Sequence, residues 1–147
     1  HIKKNNIPTI DEGNNVLIKV LVGKVKNVSS AVQTYSPVSI FDVQFSKPSL
    51  IDLDIPKNQT VMVYVIDGEL KFDVNNKIVR KGQMIYFDQL SDMINLTSIS
   101  PNGSYLVLAG EPINEPVVRY GPFVTNTEGE MKQVMLDYQN GKMGTLN

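Results

Sequence analysis

The chain has 147 residues, 41% of them hydrophobic and 20% charged, and its formal net charge is −1 at pH 7. A domain of this size buries about 70% of its unfolded surface, enough for one core without staples. The near-neutral balance, with no basic block, argues against nucleic acid as a partner.

Cysteine is absent, which excludes disulfides, thiolate metal sites and a cysteine nucleophile. No apolar run reaches the ~18 residues of a membrane span. The opening stretch, HIKKNNIPTIDEGNN, is polar and does not read as a signal peptide. Residues 1–15 are therefore expected to form an N-terminal arm, and the cytoplasm is the expected location. Asn27, Asn58, Asn95 and Asn102 each begin an Asn-X-Ser/Thr sequon, which chance supplies in so Asn-rich a chain.

Short β-rich runs follow one another along the chain. VLIKVLV (16–22) and VSIFDVQF (38–45) read as strands. In VMVYVIDGELKFDV (61–74), two β-rich runs flank Asp67-Gly68, which predicts a two-residue type I′ hairpin because both central residues tolerate positive φ. Asn75-Asn76 offers a second turn before KIVR. QMIYF (83–87), MINLTSI (93–99) and SYLVLAG (104–110) complete the series, with Pro101-Asn102-Gly103 as a further turn. Strands this short and regularly spaced predict an all-β fold, an antiparallel sandwich or barrel. No helix of ordinary length fits before residue 126.

The C-terminal part reads differently. Thr127-Glu128-Gly129-Glu130 is a capping box, with threonine at the N-cap and glutamate at N3. Met131, Val134, Met135 and Tyr138 then keep the i, i+3, i+4, i+7 spacing of one helix face, and Gly141 sits where a terminating glycine belongs. A helix is expected over about 128–140. Before it, Glu111-Pro112, Glu115-Pro116 and Gly121-Pro122 push the backbone toward extended geometry. Residues 111–127 are therefore expected to form a stiff strap docked on the core.

The stretch EPVVRYGPFVTNT, followed by DYQNGKMG, resembles the closing segment of the pirin family. The residues that carry the resemblance are Glu115, Pro116, Tyr120, Gly121, Pro122, Phe123, Asn126 and Thr127, then Asp137, Tyr138, Gln139, Gly141 and Gly144. Weaker echoes upstream, at Gly23, Ser36-Pro37-Val38, Tyr64-Val65, Asp67-Gly68-Glu69 and Lys81-Gly82-Gln83, extend it over roughly residues 16–144. The resemblance implies a single cupin-type β-sandwich (a jelly roll, or double-stranded β-helix) over 16–147, with a C-terminal α-helix. Pirin-like proteins are bicupins, and this chain resembles their C-terminal half. The N-terminal half holds iron among several histidines and a glutamate, is linked to quercetin dioxygenase activity in bacterial members, and has no counterpart here. Some eukaryotic members are nuclear transcriptional cofactors.

Against that background the chain's own chemistry is sparse. A cupin metal site needs three or four converging ligands, imidazole foremost. The strand that would carry the first pair reads NQTVMVYVIDG, placing Gln59, Thr60, Val61 and Met62 where ligands would lie. The later region, YFDQLSDMINL, has no histidine, and the one histidine is His1. Asp52 and Asp54 share a strand face by spacing, but a solvated face explains them better than a hard-ion site. A Ser-His-Asp triad lacks a usable histidine. Glu111 and Glu115 form a conceivable acid–base pair, yet each precedes a proline in the docking segment. Glu115 is expected to accept backbone N–H bonds there. Arg119 reads as an ion-pair residue, Tyr120 and Phe123 as apolar anchors, and Asn126 as a helper at the helix N-terminus. No catalytic residue, metal or cofactor is expected. The expected role is a packing, interaction or small-ligand module, in which a homodimer or a partner cupin covers its apolar surface and the barrel takes any small molecule. The alternative is one half of a metal-dependent, pirin-type dioxygenase whose catalytic cupin is not part of this chain.

Overall fold

The computed structural model describes residues 3–72, 76–87 and 93–144. His1 and the Asn75 position of the expected second turn lie outside them. The chain divides into two compact units, one reaching to Pro112 and the other beginning at Ile113.

The first unit is an antiparallel β-sandwich. A six-stranded sheet runs in the order β1 (Thr9–Asp11), β2 (Val16–Val22), β5 (Val38–Phe45), β12 (Gly103–Gly110), β7 (Thr60–Asp67), β10 (Met84–Phe87). A four-stranded sheet runs β6 (Ser49–Asp54), β11 (Met93–Ser98), β8 (Glu69–Phe72), β9 (Lys77–Arg80). A small hairpin, β3 (Lys24–Val25) with β4 (Val28–Ser29), stands apart from both sheets. Strand β1 lies inside the stretch expected to be an N-terminal arm, paired with β2 from Thr9↔Lys19 to Asp11↔Leu17.

Alternation decides the core. Because strand side chains point to opposite faces in turn, β2 buries Val16, Ile18 and Val20, β5 buries Phe41, Val43 and Phe45, and β7 buries Val61, Val63 and Val65. From the facing sheet, Ile51, Leu53, Leu70, Phe72, Val79, Ile94 and Leu96 close the same apolar cluster. Asp52 and Asp54 occupy the opposite, exposed face of β6, where the Asn95 amide donates to Asp52 Oδ1 at 2.6 Å.

The Asp67-Gly68 hairpin is corrected by the structure. Strands β7 and β8 do not pair; they belong to facing sheets. Of the two residues only Gly68 has positive φ, +85°, whereas a type I′ turn needs it at both. Gly68 is a corner between layers, and a Cβ there would meet Ser100 Oγ at 2.5 Å and the Asn102 carbonyl at 2.8 Å. The connections β5–β6, β6–β7, β9–β10, β10–β11 and β11–β12 also switch sheets, whereas β8 and β9 pair with each other. This alternation of layers is the jelly-roll path of a cupin.

The second unit holds a hairpin and a helix. Within the segment expected to run as a strap, β13 (Val118–Tyr120) pairs with β14 (Phe123–Thr125). The cause is local. Gly121 takes φ +55° and Pro122 has φ fixed near −65°, the sign pattern of a type II′ turn with glycine first. Helix α1 (Glu128–Gln139) starts on the expected capping box. It ends in a Schellman motif, with Gly141 N–H donating to the Tyr138 carbonyl at 3.0 Å and Lys142 N–H to the Asp137 carbonyl at 2.9 Å.

Candidate functional site

Three places bear on function: the sandwich interior, the family motif of the second unit, and the outer face of the six-stranded sheet.

Val61 and Val63 are inward-facing and buried at the start of β7, Gln59 is buried just before it, and Met62 points outward. Opposite them stand Leu70 and Leu96. The polar atoms inside are few. Ser98 Oγ accepts from the Ser49 backbone N–H at 2.8 Å and donates to the Ser49 carbonyl at 3.1 Å. Gln59 Oε1 and the Tyr105 hydroxyl are buried with no hydrogen-bond partner among the described residues. Burial pushes the Tyr105 hydroxyl far above the usual tyrosine range, so the phenol stays neutral. Among the described residues no group of three or more His, Cys, Asp or Glu side chains comes together.

The family-motif residues gather around the start of α1. The Asn126 amide donates to the Glu115 carboxylate, so Glu115 takes a side-chain donor rather than the expected backbone N–H groups. The backbone N–H groups of Asn126 and Thr127 both donate to Glu130 Oε2 at 3.0 Å, and Glu130 N–H donates to Thr127 Oγ1 at 3.2 Å. Phe123 is half-buried and meets Tyr138 edge-on, with ring centroids 5.4 Å apart. Tyr120 is exposed at the hairpin end, beside the Gly121-Pro122 turn, and Pro116, Arg119 and Glu111 are exposed too. The motif thus builds a hairpin-to-helix junction out of turn, cap and ring contact.

The outer face of the six-stranded sheet went unnoticed in the sequence. Register sets two apolar rows side by side across it. One runs Leu106–Tyr64–Met84 and the other Ile40–Leu108–Met62–Tyr86. Met84 and Tyr86 are more than half exposed. The signal was available: SYLVLAG is apolar at successive positions rather than alternate ones, the pattern of a strand covered on both faces. At the end of the first row Asp42 pairs with Lys19 at 3.2 Å.

Comparison with known proteins agrees with this architecture. The family model for the pirin C-terminal cupin domain matches residues 40–144. A provisionally named quercetin 2,3-dioxygenase of Pseudomonas aeruginosa is 34% identical over 125 residues, covering 85% of this chain and 43% of that protein. Pirin of Mus musculus is 33% identical over 147 residues, covering 97% of this chain and 50% of that protein. Among solved structures, quercetin 2,3-dioxygenase from Acinetobacter baumannii superposes with a TM-score of 0.85 at 27% identity, over 99% of this chain and 50% of that one. The chain thus spans about half the length of the relatives it matches. A cupin sandwich, a matched family model and relatives aligned along nearly the whole sequence place this chain in the pirin family, as its C-terminal cupin domain.

Proposed function

We propose that this chain is the interaction module of a pirin-type pair of cupins, without a metal centre of its own. The observation that carries the reading is the pair of apolar rows on the outer face of the six-stranded sheet. Contiguous apolar surface of this kind is uncommon on stable monomers and marks an interface. The interior supports the same view. A cupin metal needs imidazole and carboxylate donors, and among the described residues the core cluster holds Val61, Val63, Leu70 and Leu96, with the Tyr105 phenol, the Gln59 amide and the Ser49 and Ser98 hydroxyls among its buried polar groups. That donor set does not fit iron, and no catalytic step is assigned to these residues.

In isolation a second copy takes the place of the sister cupin, because one self-complementary patch serves both subunits of a two-fold dimer. The backbone of β2 is paired on both sides by β1 and β5, and the contact assigned here runs through the sheet face. Light scattering on a size-exclusion peak is expected to give twice the chain mass. The double variant Met84→Lys, Tyr86→Lys should return it to one. A monomer at all concentrations up to about 100 μM, well above the Kd of a specific complex, would overturn the interface.

A second reading is favoured by one observation: the chain spans about half of relatives named as quercetin 2,3-dioxygenases. It would then be the supporting half of such an enzyme. Quercetin turnover appearing only when a metal-bearing cupin is added back supports this reading. Turnover by the chain alone, with one metal ion bound per chain, would defeat both.

A further inference from the structure

We propose that the chain carries a ligand site for a neutral, hydroxyl-rich small molecule of saccharide size, in a cleft at one end of the six-stranded sheet. The cleft has a volume of about 370 Å³, within the range of small-molecule sites. Its wall is one row of the sheet, Leu17–Gln44–Ser104–Asp67, set in line by the pairings of β2, β5, β12 and β7. Asn15 and Asn102 approach from the adjoining loops.

Two irregularities of the strands lie at the cleft. The first is a β-bulge. Tyr105 pairs with Val65, but Ser104 pairs with Asp67, so Ile66 is an extra residue in β7. Strand side chains alternate, so Asp67 without the bulge would share the inward face of Val65 and bury a carboxylate in the core. The added residue turns Asp67 outward into the row, the re-aiming that bulges perform beside functional sites. The second is Gly103. A Cβ there would stand 2.4 Å from the Asp67 carbonyl oxygen and 2.6 Å from Phe45 Cζ. Glycine is held at 103 by close approach rather than by φ, because the Asp67 carbonyl and the Phe45 ring already fill the space a side chain would take.

The lining chemistry selects the ligand. Asn15, Gln44 and Asn102 offer amides, Ser46 and Ser104 hydroxyls, and Asp67 a carboxylate, with no cation among the lining residues. Asp67 Oδ1 is taken by Lys81 at 3.1 Å, and one Gln44 amide hydrogen by Asp42 Oδ2 at 3.0 Å. Asp67 Oδ2, the Gln44 oxygen and the remaining amide groups stay available as both acceptors and donors. A hydroxyl group uses both capacities, donating to the carboxylate and accepting from an amide. An anionic ligand would face the Asp67 carboxylate, and a cation would compete with Lys81 for it. Leu17, 40% exposed, supplies an apolar shelf for a C–H face.

The test is an amide-resonance titration of the full, isotope-labelled chain with glucose, maltose and glucuronate, each to about 20 mM, beyond the millimolar affinity of a weak site. Saturable shifts are expected at the side-chain amides of Asn15, Gln44 and Asn102 with a neutral sugar, and about tenfold weaker binding is expected for glucuronate. Asp67→Asn should weaken neutral-sugar binding about tenfold, as expected when a charge-assisted hydrogen bond becomes a neutral one. Ser104→Phe, which fills the cleft from a strand position, should abolish it. The proposal fails if neither neutral sugar gives saturable shifts, if the shifts lie away from this row, if glucuronate binds equally well, or if folded Asp67→Asn and Ser104→Phe bind like the parent.

Discussion

The Tyr105 hydroxyl is the sharpest energetic anomaly in the core. The residue is fully buried, beside Phe45 at a ring-centroid distance of 6.4 Å, and its hydroxyl has no partner among the described residues. A buried, unsatisfied polar group costs about 1–3 kcal/mol. Tyr105→Phe removes only that oxygen and leaves ring packing intact, so it is expected to stabilise the fold by about 1 kcal/mol at pH 7. That corresponds to a rise in Tm of about 3 °C for a chain of this length. The effect should grow in alkali. The folded pKa lies above the unfolded value of about 10, so above that pH the unfolded state releases a proton that the folded state retains. Parent stability then falls by up to about 1.4 kcal/mol per pH unit from this group alone, and the Phe variant escapes that loss. Urea melts of both proteins at pH 7, 9 and 10.5, chosen to bracket the tyrosine range, measure the difference. A Phe variant less stable than the parent by 1 kcal/mol or more would refute the reasoning, because it would mean the hydroxyl is bonded to a buried water.

Two further outcomes concern the second unit. Phe123 packs edge-on against Tyr138 but is only half-buried. Phe123→Ala is therefore expected to cost about 1–2 kcal/mol, not the 3–5 kcal/mol of a core phenylalanine; a urea-melt loss above about 3 kcal/mol would show deeper burial. Thr127→Ala removes the N-cap acceptor of Glu130 N–H and should cost about 1 kcal/mol, read as faster hydrogen exchange at the first turn of α1. Unchanged exchange there would contradict the capping assignment.

The sequence by itself determined much of the fold. VLIKVLV and VSIFDVQF form strands with the expected bounds, Val16–Val22 and Val38–Phe45, because alternation is a local property. The helix start at Thr127 and its stop at Gly141 were legible for the same reason: a cap needs only residues within one turn. The motif from Glu115 to Thr127 identified the family. Tertiary structure alone decided the rest. Alternation states which side chains point inward, but both sheets bury an alternate face, so it cannot say which sheet a strand joins. Asp67-Gly68 therefore read as a hairpin and is a corner. The bulge at Ile66 exists only because Ser104, far away in the chain, pairs with Asp67. Glu115 found Asn126 because the Gly121-Pro122 turn folds the hairpin back. The cleft and the apolar rows are sums of such long-range registers across strands distant in sequence, a pairing that no local window of residues encodes.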